Sequence, residues 1–302
     1  MSLNVAIVGF GNLGKAVKEN IVKDKGFNLV GAFSRRNIEG TIPFSQILDF
    51  KDKIDLLFIC SGSQSDLEKQ AVTLIKDFNI IDSYDNHNRL KSHISKMDKI
   101  AKEHDKIAIC SMGWDPGLFS LMRGLFDAIG FTPYSFWGKG TSQGHTQALK
   151  QIDGVADALQ FTLPNEKIIK KIKRGSSPVV NGKNFHLREC YVCCFPEKRE
   201  EIKSKIITMP DYFEGYKTSV RFVSPDKLNS LKSFSHKGQV ITSNNIMNFS
   251  LNLPSNPDFT AKVLIAYARS FLRLKEEGET GAFTIFDIPI KHIIKKDKFS
   301  YL

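Results

Sequence analysis

Short apolar runs alternating with amphipathic stretches fill the first 113 residues. The runs at 3–8, 27–33, 55–60, 79–83 and 106–111 read as strands, and apolar residues recur at helical spacing between them. That alternation predicts a parallel, doubly wound sheet with right-handed crossovers. After residue 117 the pattern changes. A helix over about 117–129 leads to strand-like segments at 134–137, 157–163, 185–195, 215–223, 238–243 and 246–253. Helices near 145–151, 165–174, 197–208 and 225–232 separate them. Strands outnumber helices here and several connections are short, so a second α+β domain with an open mixed or antiparallel sheet is expected. Pro257-Asp258-Phe259 opens a helix over roughly 258–277, and 282–286 reads as a last strand. The expected organisation is a first domain at 1–117, a second at 118–257, and a segment of about 258–302 that returns to the first.

The junction after the first run carries chemistry. Asn4-Val5-Ala6-Ile7-Val8 flows into Gly9-Phe10-Gly11-Asn12-Leu13-Gly14. A strand that ends in GxGxxG and opens a helix holds a dinucleotide pyrophosphate. Gly9 permits the turn, Gly11 admits the phosphates, and Gly14 lets helix and strand pack closely, while the helix N-terminus offers N–H groups and partial positive charge. The first domain is therefore expected to be of the Rossmann type, with Asn12 and Leu13 completing the phosphate loop. About 20 residues on, an NAD site carries an acidic residue for the ribose hydroxyls. Here Ser34-Arg35-Arg36 ends the second strand instead. Guanidinium forks suit a phosphate, so the expected cofactor is NADP(H).

Ligands in such a sheet bind beyond the carboxyl ends of the strands. The loops there are polar: Cys60-Ser61-Gly62-Ser63, a further set of expected cofactor contacts, then Tyr84-Asp85-Asn86-His87 and Met112-Gly113-Trp114-Asp115-Pro116-Gly117. On the residues alone Asp115 reads as a turn residue in Asp-Pro-Gly. Asp85 reads equally as an Asx-turn with Asn86 or as a site carboxylate.

The 302 residues allow two domains and a sizeable core. No apolar stretch approaches a membrane span and no secretory leader is evident, so a cytoplasmic protein is expected, without a membrane or nucleic-acid partner. The net charge of +11 lies mostly after residue 115, partly in Lys167, Lys170, Lys171, Lys173 and Arg174. Those residues alternate with Ile168, Ile169 and Ile172 at helical spacing, which makes them the wet side of an amphipathic helix. Cys190, Cys193 and Cys194 sit in an apolar strand-like run with no second CxxC, so they read as core and no metal site is expected.

Longer strings make a family resemblance specific. Ala6 to Gly14, Phe33-Ser-Arg-Arg36, Ser83-Tyr-Asp-Asn-His87 and Gly113-Trp-Asp-Pro-Gly117 resemble the meso-diaminopimelate dehydrogenases. So do Phe136-Trp-Gly138, Ser142-Gln-Gly-His145, Phe161-Thr-Leu-Pro164, Thr208-Met-Pro-Asp-Tyr-Phe213 and Asn256-Pro-Asp-Phe-Thr260, in the family's order along nearly the whole chain. The resemblance implies NADP-dependent oxidation of the D-centre of meso-2,6-diaminopimelate to L-2-amino-6-oxopimelate and ammonia, in lysine biosynthesis. It also implies a homodimer formed through the second domain. Asp85 and Asp115 would handle the ammonium, with Trp114 and Trp137 shaping the pocket. Gln143, Gly144 and Gln147 would lie near the reacting centre. Thr162, Arg188 and His236, helped by Asn256, would take the distal carboxylate. Arg188 is plausible physically, since an arginine on an apolar strand requires an anion, from a ligand or from an internal ion pair. His236 by itself reads as a surface-loop histidine.

Two positions depart from the family pattern: Gln147 replaces an Asp, and His236-Lys-Gly-Gln239 replaces a glycine-rich His-Gly-Gly-His. The lost carboxylate leaves open a broader specificity for D-amino acids. Other readings are a sugar oxidoreductase, which lacks its Glu-Lys-Pro here, a semialdehyde dehydrogenase, for which Cys110 is the only near match, and a non-catalytic NADP sensor.

Overall fold

The apolar runs of the first half form β1 (Leu3–Val8), β2 (Phe27–Ser34), β3 (Ile42–Pro43), β4 (Leu56–Ile59), β5 (Ile80–Asp82) and β6 (Ile107–Ile109). Together with the late strand Gly281–Phe283 they make one sheet in the order Gly281–Phe283, β6, β5, β4, β1, β2, β3. Every pairing in it is parallel. The computed structural model describes residues 2–62, 66–179 and 182–302. Its chain divides into two compact units, Met1–Leu121 with Pro257–Leu302, and Met122–Asn256.

Both faces of the parallel sheet are covered, as burial of a parallel sheet requires. On one face Val5, Ile7 and Phe58 pack with Ala16, Val17 and Ile21 of the helix Asn12–Ile21 and with Leu264, Ala268, Phe271 and Leu274 near the C-terminus. On the other, Val8, Leu57 and Ile59 meet Leu67, Ala71 and Leu74 of one helix and Met97 and Ala101 of another. The C-terminal segment forms two helices, Asn256–Ala268 and Phe271–Glu276, rather than the one expected. The Ser270 hydroxyl donates to the Tyr267 carbonyl at 2.6 Å, and the Ser270 N–H donates to that same oxygen at 3.0 Å. This local competition tightens the turn and interrupts the i to i−4 ladder. The last strand stops at Phe283 because the Thr284 N–H and hydroxyl both turn onto Asp287, at 2.7 and 2.6 Å.

The second unit holds two sheets where one was expected. In the first, β8 (Gly140–Thr141), β9 (Val155–Pro164), β10 (His186–Cys194) and β11 (Lys217–Phe222) follow the order β11, β10, β9, β8, and only β10 and β11 run parallel. In the second, β7 (Tyr134–Trp137), β12 (His236–Ile241) and β13 (Asn248–Leu253) form an antiparallel set in the order β13, β12, β7. The chain changes sheet at Gly138, whose φ of +105° suits glycine and whose missing Cβ would stand 2.0 Å from the Thr162 carbonyl oxygen. The basic stretch forms the helix Glu166–Lys173, with Ile169 and Ile172 buried and its lysines outward. Among the described residues no helix is long and apolar enough to cross a membrane.

Asp24 ties the C-terminal segment to the first unit. It accepts from Arg269 at 2.5 Å, from Lys295 at 3.1 Å and from the Gly26 N–H at 3.1 Å. Partial burial acts to raise its pKa, but Arg269, Gly26 and Lys295 together bring it from 3.8 to about 2. A carboxyl lowered in the folded state adds stability above its unfolded pKa and loses it as pH falls through the folded value. Asp24→Asn is therefore expected to lower the unfolding free energy by about 2 kcal/mol at neutral pH, the gap from wild type closing near pH 2. Urea melts across that range measure it, and an equal loss at every pH would contradict it.

Candidate active site

Three features bring the nucleotide end together at the carboxyl ends of β1 and β4. Gly9 takes φ +91°, and a Cβ on it would stand 2.8 Å from Ser61 Oγ, so the glycine loop and the Cys60-Ser61-Gly62 loop lie side by side. A Cβ on Gly14 would lie 2.1 Å from the Gly9 carbonyl oxygen, which leaves that position to glycine. At Gly11, by contrast, a Cβ would meet nothing within 4 Å. Gly11 caps the helix Asn12–Ile21 without a side-chain cap, so the first-turn N–H groups at Asn12, Leu13 and Gly14 are available to an anion. The glycine spacing thus closes the strand–helix junction and keeps the phosphate side open. Cys60 is buried, and burial pushes its thiol well above the usual range, so it stays protonated. Ser63 lies outside the described residues.

The Ser34-Arg35-Arg36 segment, expected to take a 2′-phosphate, differs from expectation in one respect. Arg35 pairs with Asp66 at 2.5 Å, a residue 31 positions on that sequence reading could not connect with it. Arg36 is exposed, and its N–H donates to Ser34 Oγ at 3.1 Å, which fixes the turn that presents it. Of the two guanidiniums, Arg36 is the one not committed to Asp66.

Asp85, Trp114 and Asp115 stand on the loops after β5 and β6. Asp85 is exposed, and Trp114 and Asp115 are half-buried. Trp114 packs edge-on against Phe119, with ring centroids 5.2 Å apart. Backbone bonds from Leu118 to Gly113 (3.1 Å), from Phe119 to Trp114 (2.8 Å) and from Gly113 to Pro116 (3.0 Å) fold this loop tightly. Beneath the two loops lies a buried group the sequence did not reveal: Asp82, His93 and Cys110, whose ligand-type atoms lie within 4.8 Å of one another. This set has the composition of a metal site but is hydrogen-bonded within the protein. The Asp82 carboxylate takes two backbone N–H groups and the His93 ring, and the Cys110 thiol is pushed well up by burial and by the Asp82 charge.

In the second unit, strand register assembles a polar row. Arg188 on β10 is paired with Thr162 on β9, and Thr162 with Gly140 on β8. Arg188 Nη1 donates to Thr162 Oγ1 at 2.6 Å. Its guanidinium lies over the Tyr216 ring, 4.3 Å from the centroid, a contact absent from the sequence reading because Tyr216 precedes β11 in a separate segment. Arg188 is buried, its Nε has no hydrogen-bond partner, and among the described residues no carboxylate lies within ion-pair distance. Burial lowers its pKa, and Tyr216 opposes that effect. His236 continues the row from β12: a Cβ on Gly140 would fall 2.4 Å from its ring. It is buried rather than the surface residue expected, and it opens a strand rather than lying in a loop. Burial lowers its pKa to about 4 against the opposing bond to the Lys237 carbonyl, so the ring is neutral at pH 7, with Nδ1–H donating to that carbonyl at 2.8 Å.

The remaining expected residues are each fixed by their own elements. Gln143, Gly144 and Gln147 lie within the first five positions of the eight-residue helix Gln143–Lys150, whose N-cap Ser142 accepts from the His145 N–H. Gln143 and Gln147 are exposed. The helix is fixed to β9 by the Gln160 N–H donating to Thr146 Oγ1 at 3.0 Å. Trp137 stacks on the buried His186, with centroids 4.5 Å apart, and its backbone N–H donates to His186 Nε2 at 2.9 Å. Asn256 is held by its N–H to the Phe234 carbonyl at 2.8 Å.

A Rossmann unit with a dinucleotide loop, joined in one chain to an α+β unit that buries an arginine beside polar partners, has the organisation of a two-domain dehydrogenase. Residues 113–254 match the family model described as the diaminopimelic acid dehydrogenase C-terminal domain. The chain is 41% identical to a meso-diaminopimelate D-dehydrogenase of Acetivibrio thermocellus, over 97% of this chain and 95% of that one. Its structure is similar to C. glutamicum DAP dehydrogenase in complex with DAP, with a TM-score of 0.93 and 36% identity over 99% and 98% of the two chains. An engineered D-amino acid dehydrogenase bound to NADP+ is similar to the same degree, with a TM-score of 0.93 and 35% identity over 99% and 98%. The chain belongs to the meso-diaminopimelate D-dehydrogenase family.

The glycine geometry separates two effects. Gly11→Ala is expected to leave stability unchanged or slightly raised while weakening NADPH binding at least tenfold. Gly14→Ala is expected to destabilise the first unit by about 2 kcal/mol or more, since the new methyl must displace backbone. Thermal melts and NADPH fluorescence titration check both, and equal destabilisation by the two variants would refute this division.

Proposed function

We propose that this chain is an NADP-dependent dehydrogenase that oxidises the D-centre of meso-2,6-diaminopimelate. Water and NADP+ are consumed, and L-2-amino-6-oxopimelate, ammonia, NADPH and a proton are formed in a reversible reaction of diaminopimelate and lysine metabolism. The observation that carries the substrate class is Arg188: a buried guanidinium, bonded to Thr162 and stacked on Tyr216, with Nε unpartnered and no carboxylate within ion-pair distance among the described residues. A carboxylate ligand offers the bidentate partner such a group requires.

Domain roles follow from the two sets of residues. The first unit holds the cofactor through Gly9, Gly11, Asn12, Leu13, Gly14, Cys60, Ser61 and Gly62, with Ser34 and Arg36 at the 2′-phosphate; Arg35 supports that end through Asp66. Bound NADP+ supplies the two-electron acceptor. Asp85 and Asp115 accept hydrogen bonds from the substrate ammonium, take its proton, and then orient the water that releases ammonia. Trp114 shields the Asp115 loop from bulk water, and Trp137 stands among the binding residues of the second unit. The second unit binds the distal end: Arg188 and Thr162 take the carboxylate, with Asn256 beside them. His236, which the family resemblance assigns to the same carboxylate, is neutral with its Nδ1–H on the Lys237 carbonyl and so adds no positive charge there. Gln143, the Gly144 amide and Gln147 complete the pocket. Gln147 is uncharged, which favours looser discrimination among D-amino acids than a carboxylate there would give.

The test is NADP+ reduction with meso-, LL- and DD-diaminopimelate side by side. Turnover with the meso isomer and little with LL is the expected result. Comparable rates with DD or simple D-amino acids would replace strict specificity with the broader alternative, and NADPH binding without turnover would leave only a sensor. A cytoplasmic homodimer formed through the second unit belongs to the same reading, supported by the family resemblance. Light scattering is expected to give twice the chain mass, and a single-chain mass would remove that part.

A further inference from the structure

We propose that Asp82 is a positioning residue for this reaction: its carboxylate clamps the loop carrying Asp85 to the loop carrying Trp114 and Asp115, and His93 holds it in register. The proposal rests on the functional reading above for the roles of those two loops.

Asp82 ends β5 and is wholly buried. Its Oδ1 accepts two backbone N–H groups, from Tyr84 at 2.9 Å and from Ser111 at 2.8 Å. Tyr84 is the residue before Asp85. Ser111 begins the loop that reaches Trp114 three residues later and takes φ +61°, a left-handed conformation that non-glycine residues seldom adopt. The Asp82 carbonyl adds a third tie, accepting from the Met112 N–H at 2.8 Å. One residue therefore sets where both loops leave the sheet.

The other carboxylate oxygen is held as firmly. Oδ2 lies 3.0 Å from His93 Nε2, with both side chains fully buried. Among the described residues His93 Nδ1 has no hydrogen-bond partner, and Nε2 is the ring atom that meets Asp82, as the donor to its carboxylate. The imidazole also stacks on Tyr84, with ring centroids 4.1 Å apart and an interplanar angle of 22°. His93 comes from the helix Leu90–Glu103, so the clamp is braced from an element outside both loops. A buried carboxylate is costly unless every lone pair is answered. Here the cost secures a fixed separation between two loops rather than contact with a ligand.

The experiment compares wild type, Asp82→Asn and Asp82→Ala. Asparagine keeps an oxygen for the Tyr84 and Ser111 N–H groups, and its amide N–H reaches His93 Nε2 once the ring carries its proton on Nδ1, whereas alanine removes both contacts. Asp82→Ala is expected to lower kcat by about 100-fold, the scale of an ångström-level misplacement, with the NADPH dissociation constant changed by less than about threefold. Asp82→Asn should recover kcat to within about fivefold of wild type. A second readout is independent of turnover. The chain has two tryptophans, so in a Trp137→Phe background the emission reports Trp114 alone. Acrylamide quenching of that emission should rise in Asp82→Ala and match the parent in Asp82→Asn.

An alanine variant that folds, binds NADPH and keeps kcat within about threefold overturns the proposal, as does an asparagine variant as impaired as alanine. If Asp82→Ala does not fold, the asparagine variant decides alone, because it must keep both turnover and the quenching of its parent. Absence of wild-type turnover with every diaminopimelate isomer would defeat the functional reading, while the Trp114 quenching would still decide whether Asp82 sets the loop.

Discussion

Taking a charge out of water obliges the chain to supply partners, and both units are arranged around that obligation. The first unit buries Asp82 and answers it fully, with two backbone N–H groups and a histidine. The second buries Arg188 and answers it in part, with a threonine hydroxyl and a tyrosine face. A fully satisfied buried charge is architecture. A cation that retains an unpartnered donor still has a hydrogen bond to give. The chain therefore buries two kinds of ion, one answered fully within its unit and one answered in part.

The parallel sheet was legible because its strands are continuous apolar runs and each successive strand lies near its predecessor in sequence. The glycine loop was legible for a related reason: its three glycines answer local constraints within six residues. What escaped reading was non-local. Asp66 reaches Arg35 across 31 positions, and no feature of either segment announces the pairing. The second unit was expected to hold one sheet because its strand segments look alike. The division arises where β12 pairs with β7 about one hundred residues earlier, leaving β8 to β11 to pair among themselves. His236 read as exposed because its neighbours are Ser235 and Lys237, yet alternation along β12 turns Lys237 outward and His236 inward. Asp82 was passed over as the polar end of an apolar strand, since its partners Ser111 and His93 come from other elements.

Gly140 and Gly14 show one device used twice. In each case a side chain is given up so that another group can come closer than a Cβ would allow: the Gly9 carbonyl beside Gly14, and the His236 ring beside Gly140. The first contact closes the strand–helix junction at the nucleotide loop. The second brings a histidine from a different sheet against the row that contains Thr162 and Arg188. Backbone proximity in both places depends on the residue that is smallest.

The first unit is assembled from both ends of the chain, with the second encoded between them. Its edge strand Gly281–Phe283 and the helices that cover Val5, Ile7 and Phe58 are separated from β1 by the whole of the second unit. The face behind the glycine loop is therefore closed only by contacts of very long sequence separation, whose loop-closure entropy has to be overcome before they reward it. Losing those helices would leave Val5, Ile7 and Phe58 uncovered rather than give a smaller sheet that is complete in itself.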